Sequence, residues 1–471
     1  MKMYVGGEWI DRDRRIPVIH PYDASIVDTV PQAGPDDLER AIATAVRGAR
    51  GMRQLTGYQR SQILHKTADL LTQRTEEFAR TITLEEGKIL RESQQEVARA
   101  AEILTLSAEE AKRLASEVVP LDGAPSVTTQ FGFTIRVPCG VVVGITPFNW
   151  PLVLATHKVG PALAAGNAII LKPATDTPLS TLKLIEVLLE AGVPSEGIQC
   201  VTGRGAQVGE ALCADPRVRK ITFTGSRDVG ARICQVAGLK KVTMELGNNS
   251  PVIVMPDADL EQVAAAVVAT GYVNAGQACI STQRILAFKP IYRDFIDALK
   301  PKVAAITTGN PLDKGVTMGP LVRESDAKRV EDCVKEAIEG GARLVLGGER
   351  HGAIFAPTVL ADVKPDMRVS RSELFGPAVA LMSVETIDEA IELANATNYG
   401  LSAGVFTQDI NRAMRFAREL EVGNVHINWG PQWRADLMPY GGLKDSGFGK
   451  EGPKYAVEEM TELKMVVMHL Q

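Results

Sequence analysis

Val141-Val142-Val143-Gly144-Ile145-Thr146-Pro147-Phe148-Asn149-Trp150-Pro151 is the stretch on which the fold turns. Its first five residues form an apolar run without polar alternation, as expected of a strand covered on both faces in a parallel sheet. Asn149 then lies between two prolines, in a turn directly after a strand and before a helix, at the carboxyl edge where such sheets bind ligands. Short apolar runs recur at Ala168 to Leu171, Ile198 to Val201, Ile221 to Phe223 and Val242 to Met244, with helical stretches such as Leu179 to Ala191 between them. This alternation is that of βαβ units.

Upstream, Leu38, Ile42, Val46, Ile63, Leu70 and Leu71 recur at helical spacing, so the block from Asp36 to about Ser116 is expected to be mostly helix. From Ser126 to Val137 the period drops to near two, through Val127, Phe131, Phe133, Ile135 and Val137, which predicts a strand or hairpin. Beyond Pro251 the alternation resumes with helical Leu260 to Tyr272, strand-like Arg284 to Phe288 and helical Tyr292 to Ile306, and so predicts a second α/β domain. The tail from Met460 to Met468 reads as another strand that needs a partner edge, which pairing within a dimer would supply.

A chain of 471 residues exceeds one ordinary core and predicts two or three domains. Its net charge of −5, without a long basic run, gives no footprint for nucleic acid or anionic lipid, and no segment stays apolar long enough to span a bilayer. Met1 to Ile10 lacks the pattern of a signal peptide, so a cytoplasmic protein is expected. Cys139, Cys200, Cys213, Cys234, Cys279 and Cys333 are scattered without a CxxC pair, which argues against disulfides, and the six histidines offer no HExxH-like pattern, so no metal is expected.

Four segments carry chemistry. Cys279, in Gly276-Gln277-Ala278-Cys279-Ile280, taken alone reads first as a small buried hydrophobe; a nucleophile there would need an activating environment and donors for an oxyanion. Asn149 is either a helix cap or such a donor. Glu245 ends the run Val242 to Met244 and either faces solvent or, if buried in a cleft, becomes a general base. Gly225 and Ser226 follow Phe223-Thr224 in a strand-to-helix turn whose amides can hold phosphate, although the GxGxxG spacing is missing.

In this order and along nearly the whole chain, these segments resemble the aldehyde dehydrogenase superfamily. Further matches are Lys172-Pro173-Ala174, Glu373-Leu374-Phe375-Gly376-Pro377, Asn395 to Ser402, and Pro439 to Gly447. The resemblance implies an α/β protein with a Rossmann-like cofactor domain, an α/β catalytic domain and a small β oligomerisation flap. The expected boundaries are 1–117 and 138–247 for the NAD(P)-binding domain, 248–446 for the catalytic domain, and 118–137 and 453–471 for the flap. It further implies a homodimer or homotetramer that oxidises a small-molecule aldehyde through a thioester. Cys279 would be the nucleophile, Asn149 and the Cys279 amide the oxyanion hole, and Glu245 the base for deacylation. Lys172 and Glu373 would hold the riboses, Gly225 and Ser226 would approach the pyrophosphate, and Phe375 would flank the nicotinamide. Most members carry a second glycine after Glu-Leu-Gly, where this chain has Asn248 and Asn249. Thr175 stands where strongly NAD-preferring relatives often carry Glu, so NADP is expected to be accepted, alongside NAD.

The branch most resembled acts on small polar aldehydes such as lactaldehyde and phosphonoacetaldehyde. Trp150, Trp429, Trp433 and Arg434 are the substrate-end candidates, with Arg434 read as a guanidinium set against tryptophan faces to hold an anionic or polar far end. Ala278 and Trp150 lack the basic character of a phosphonate site and favour a hydroxyl or carboxylate. Three other readings compete. Acyl transfer to coenzyme A would need no base, a silent binding protein would be expected to lose Cys279, Asn149 or Glu245, and a cysteine hydrolase would want His157 or His426 beside Cys279.

Overall fold

The run Val141–Ile145 is a strand with every residue buried, and parallel strands flank it on both sides. The computed structural model describes residues 1–127 and 129–470. The first sheet has the order Glu8–Ile10, Met3–Val5, Ile198–Cys200, Ala168–Lys172, Val141–Ile145, Lys220–Thr224, Lys241–Glu245 and Gly447–Phe448, with its five central strands parallel. From Val141–Ile145 the chain winds outward through Ala168–Lys172 to Ile198–Cys200, then returns to the other side for Lys220–Thr224 and Lys241–Glu245. The winding therefore reverses between Val141–Ile145 and Lys220–Thr224, and a crevice opens there at the carboxyl ends of the strands. Asn149, Lys172, Gly225 and Glu245 all stand at that edge, because each follows or ends one of these strands.

Helices Pro35–Gln54, Gly57–Gln73, Thr75–Glu86 and Leu90–Lys112 fill the expected helical block. Two apolar cores, one on each face of the sheet, are built from these helices and from Pro151–Ala164, Leu179–Ala191, Gly205–Ala214 and Arg227–Ala237. The second α/β unit has the order Arg343–Leu346, Thr358–Ala361, Ala378–Val384, Arg284–Phe288, Pro251–Val254, Ser402–Phe406 and Asn424–Ile427, parallel except at its first pair.

Thr461–His469 pairs along its full length with Gln130–Pro138 of the same chain, which also carries Val118–Val119. The tail thus finds its first partner within the chain rather than in a dimer, and its outer edge is unpaired among the described residues. Gly447–Phe448 joins the first sheet against Met244 and Glu245, and Pro453–Glu459 forms a helix whose Val457, with Met460 just beyond it, enters the first core. The strand that pairs with Gln130–Pro138 begins at Thr461. No helix among the described residues is long and apolar enough to cross a membrane.

Candidate active site

Cys279 is presented by a loop of forced geometry. After helix Leu260–Gly271, Asn274 and Ala275 both take left-handed backbone angles, and Gly276 follows at φ +71°. A Cβ on Gly276 would meet the Gly376 carbonyl at 2.2 Å, so only glycine fits. The Cys279 thiol is half-buried on a cavity of about 1270 Å³, with Sγ 3.3 Å from the Tyr440 hydroxyl. Burial, with Glu245, Glu373 and Glu451 nearby, pushes this thiol up to about 12. The other five cysteines, like Cys279, are free.

Asn149 is not a helix cap. Trp150 is the residue before helix Pro151–Ala164, and the Leu152 and Val153 amides donate to Glu96 at 2.9 and 3.2 Å. The Asn149 amide nitrogen donates instead to the Gln277 carbonyl at 2.7 Å, two residues before Cys279. Its own carbonyl accepts from buried Lys88 at 2.8 Å and from Asn274 at 3.0 Å. One side-chain N–H is thus anchored, and the second remains at the cavity wall.

Glu245 is buried on the same cavity, and among the described residues neither carboxylate oxygen has a hydrogen-bond partner. Burial and the neighbouring Glu451 raise its pKa well above the usual carboxylate range. Glu451 goes the other way: although burial pushes it up, Lys158, His157 and Arg434 hold it at about 2. Lys158 donates to Thr224 at 2.7 Å and to Glu451 at 3.3 Å. Two carboxyls in one pocket are thereby driven apart, one charged and one kept readily protonated.

The cofactor candidates line the same cavity with one exception. Lys172 is buried, donates to the Pro173 carbonyl at 2.9 Å, and is lowered to about 8 by burial. Gly225 donates to the Glu245 carbonyl at 3.0 Å, and a Cβ there would meet the Phe223 ring at 2.5 Å. Ser226 precedes helix Arg227–Ala237 without capping it by its side chain, so the first amides of that helix stay open to an anion. Glu373 accepts from the Asn248 amide at 2.9 Å and is raised to about 7 by burial. Phe375 packs edge-on to Phe148 with centroids 5.8 Å apart. Glycine turn, open helix amides, buried lysine and half-buried carboxylate fit a dinucleotide. Thr175 lies off the cavity wall, with its hydroxyl donating to the Gly203 carbonyl at 3.3 Å. The Asn248 departure braces the loop, since its side chain donates to Ser250 and Ser402 and accepts from the Leu401 amide.

Of the substrate candidates, Trp150 and Trp433 line the cavity, but Trp429 does not. Arg434 lines it too, although not as expected. Its guanidinium is buried against Glu451 at 3.0 Å, Asp436 at 3.3 Å and His157 at 3.3 Å, and it lies 4.1 Å over the ring of Tyr440 rather than over a tryptophan. His157 is thereby occupied by Asp436 and Arg434, while His426 sits edge-on to Trp433, so neither imidazole is bonded to Cys279. Sequence reasoning missed Lys88, Arg99, Lys158, Tyr440 and Glu451. The visible signal for Lys158 was the pair His157-Lys158 inside the otherwise uncharged helix Pro151–Ala164.

Residues 9–466 match the aldehyde dehydrogenase family profile. The chain is 48% identical over 468 residues to 3-sulfolactaldehyde dehydrogenase of Priestia aryabhattai, covering 99% of this chain and 98% of that one. It is 38% identical to lactaldehyde dehydrogenase of Methanococcus vannielii, covering 99% and 100%. It superposes with a TM-score of 0.98 on the NADP-dependent glyceraldehyde-3-phosphate dehydrogenase of Bacillus halodurans complexed with NADP, at 35% identity and covering 100% and 99%.

Proposed function

Because the chain belongs to the aldehyde dehydrogenase family and oxidises an aldehyde to a carboxylic acid with reduction of NAD or NADP, we propose that turnover runs through a thioester on Cys279 and favours a small aldehyde with an anionic far end. The observation that carries the first part is that Cys279, Asn149 and Glu245, from three distant segments, line one cavity with the residues suited to a dinucleotide.

When bound, the nicotinamide supplies the hydride acceptor, with Lys172 and Glu373 on the riboses and Gly225, Ser226 and the amides after it on the phosphates. Cys279 Sγ adds to the carbonyl carbon, and the resulting oxyanion is met by the free Asn149 N–H and the Cys279 amide. After oxidation the acyl group stays on sulfur. Glu245 then takes a proton from water as that water adds to the thioester carbon, and the C–S bond breaks to return the sulfur. With this base present, transfer to coenzyme A is disfavoured. Quenching Glu245→Gln after one turnover and weighing the Cys279 peptide tests the path: an acyl adduct supports it, and unmodified peptide beside reduced cofactor would overturn it.

The anionic preference rests on charge. Asp436 and Glu451 are paired with Arg99, Arg434 and Lys158, and of these three cations only Arg99 is not enclosed. Arg99 lines the cavity and is 32% exposed, so it has room for a second anion, whereas Arg434 is enclosed. Sulfolactaldehyde and glyceraldehyde-3-phosphate, on which two of the relatives act, carry such an end. Arg99→Ala is expected to raise KM about tenfold for an anionic aldehyde and leave a neutral one of equal size unchanged. Arg434→Ala is expected to impair both, because it strips Glu451 and Asp436 of a buried partner. Equal loss on both aldehydes for Arg99→Ala would remove the anion preference. The unpaired edge of Thr461–His469 further supports a homo-oligomer.

A further inference from the structure

The carboxyl groups that bear most on Cys279 oppose its ionisation. Glu245 ends one strand of the first sheet, Glu373 comes from the Glu373-Leu374-Phe375 turn, Glu451 follows the Gly447–Phe448 strand, and all three disfavour a thiolate. No histidine is bonded to Sγ. Among the described residues the one side chain hydrogen-bonded to the sulfur is Tyr440, at 3.3 Å. Its ring is 4% exposed and lies beneath the Arg434 guanidinium at 4.1 Å. Arg434 is itself fixed by Glu451 and Asp436, so the phenol is clamped between a cation on its face and the sulfur at its tip. A cation over the ring draws electron density from it and makes the O–H a better donor. Burial and the neighbouring Cys279 and Glu245 keep the phenol protonated, hence always able to donate.

We propose that the Tyr440 hydroxyl is a further catalytic group, which donates a hydrogen bond to the Cys279 thiolate and so favours the ionised nucleophile and holds it in place. This rests on Cys279 being the nucleophile. Only the S–H bond breaks in forming the thiolate: its proton leaves to water in the cleft, and the Tyr440 proton stays on oxygen. As sulfur bonds to carbon its charge is lost, and the hydrogen bond to Tyr440 weakens.

The test is Tyr440→Phe, which keeps the ring, compared with the full-length wild-type protein. Alkylation of Cys279 by iodoacetamide, followed on its peptide by mass between pH 7 and 10, is expected to be about tenfold slower in the variant, a displacement of about one pH unit. The first turnover of aldehyde is expected to slow by the same factor and to recover when the pH is raised one unit. NADP affinity, read by fluorescence, should not change, which also shows that the fold is retained. A purely structural lesion would not be repaired by pH. A wild-type alkylation profile in Tyr440→Phe would overturn the proposal. Cys279→Ala is the separate control: turnover surviving in it would overturn the nucleophile assignment, whatever Tyr440→Phe does.

Discussion

What separates Cys279 from the other cysteines is position rather than acidity. Burial raises Cys213 to about 12 as well, but that thiol lies in an apolar core, whereas Cys279 faces the cavity with Asn149 and its own amide. Cys279→Ala is therefore expected to abolish cofactor reduction while NADP affinity, measured by fluorescence titration, stays unchanged. Glu245 supplies the pH dependence. Its carboxyl is raised, so at low pH it is protonated and cannot act as base; the active fraction grows as pH rises through the raised value. Steady turnover in the wild type should rise with pH accordingly. Glu245→Gln should give one burst of reduced cofactor, then turnover reduced about 10²-fold or more with that limb lost. A variant without the burst would place Glu245 before the thioester instead of after it.

Elements were legible where burial imposed a simple pattern. Val141–Ile145, Leu179–Ala191 and the helical block could be read because parallel strands are apolar on both faces and helices repeat near 3.6. The carboxyl cluster of helices Thr75–Glu86 and Leu90–Lys112 could not, since Glu85, Glu86, Glu92 and Glu96 look like solvated helix charges until the fold buries them. Glu85 holds the first amides of Leu179–Ala191, and Glu92 holds the Asn274 amide of the Cys279 loop at 3.1 Å. Burial raises Glu85 and Glu92 to about 7. A raised folded pKa means that the native state binds protons more tightly than the unfolded chain, so this stabilisation is complete below about 4.5 and is lost as pH rises through 7. Glu92→Gln, which cannot ionise, should gain about 2 °C on the wild type between pH 6 and pH 8.5 in thermal melts. A constant gap between the two would mean that Glu92 does not titrate in this range.

At the scale of the molecule, what the sequence left unread was which distant segments meet. Arg434 touches His157 across 277 residues, and Arg99 reaches Asp436 across 337, pairings that no local pattern encodes. Cofactor choice is a property of this assembled cleft: Thr175 is neutral, Lys172 lines the cavity, and the nearby Asp176 is paired with Arg323, so NADP should support turnover. NAD activity with none from NADP would reverse that reading. The tail poses the last question of assembly. Thr461–His469 pairs one edge with Gln130–Pro138 and leaves the other with unpaired backbone groups, a row that invites another strand. Leu463, Met465 and Val467 share one face of it at 55%, 41% and 41% exposure, and Leu470 follows at 54%, a concentration of apolar surface unusual for a strand left in water. A second copy of the chain would cover both. Leu463→Glu with Val467→Glu places like charges on that face, so native mass measurement should show an oligomer for the wild type and a monomer for the variant, while NADP binding persists. An unchanged oligomer would assign the contact to another surface.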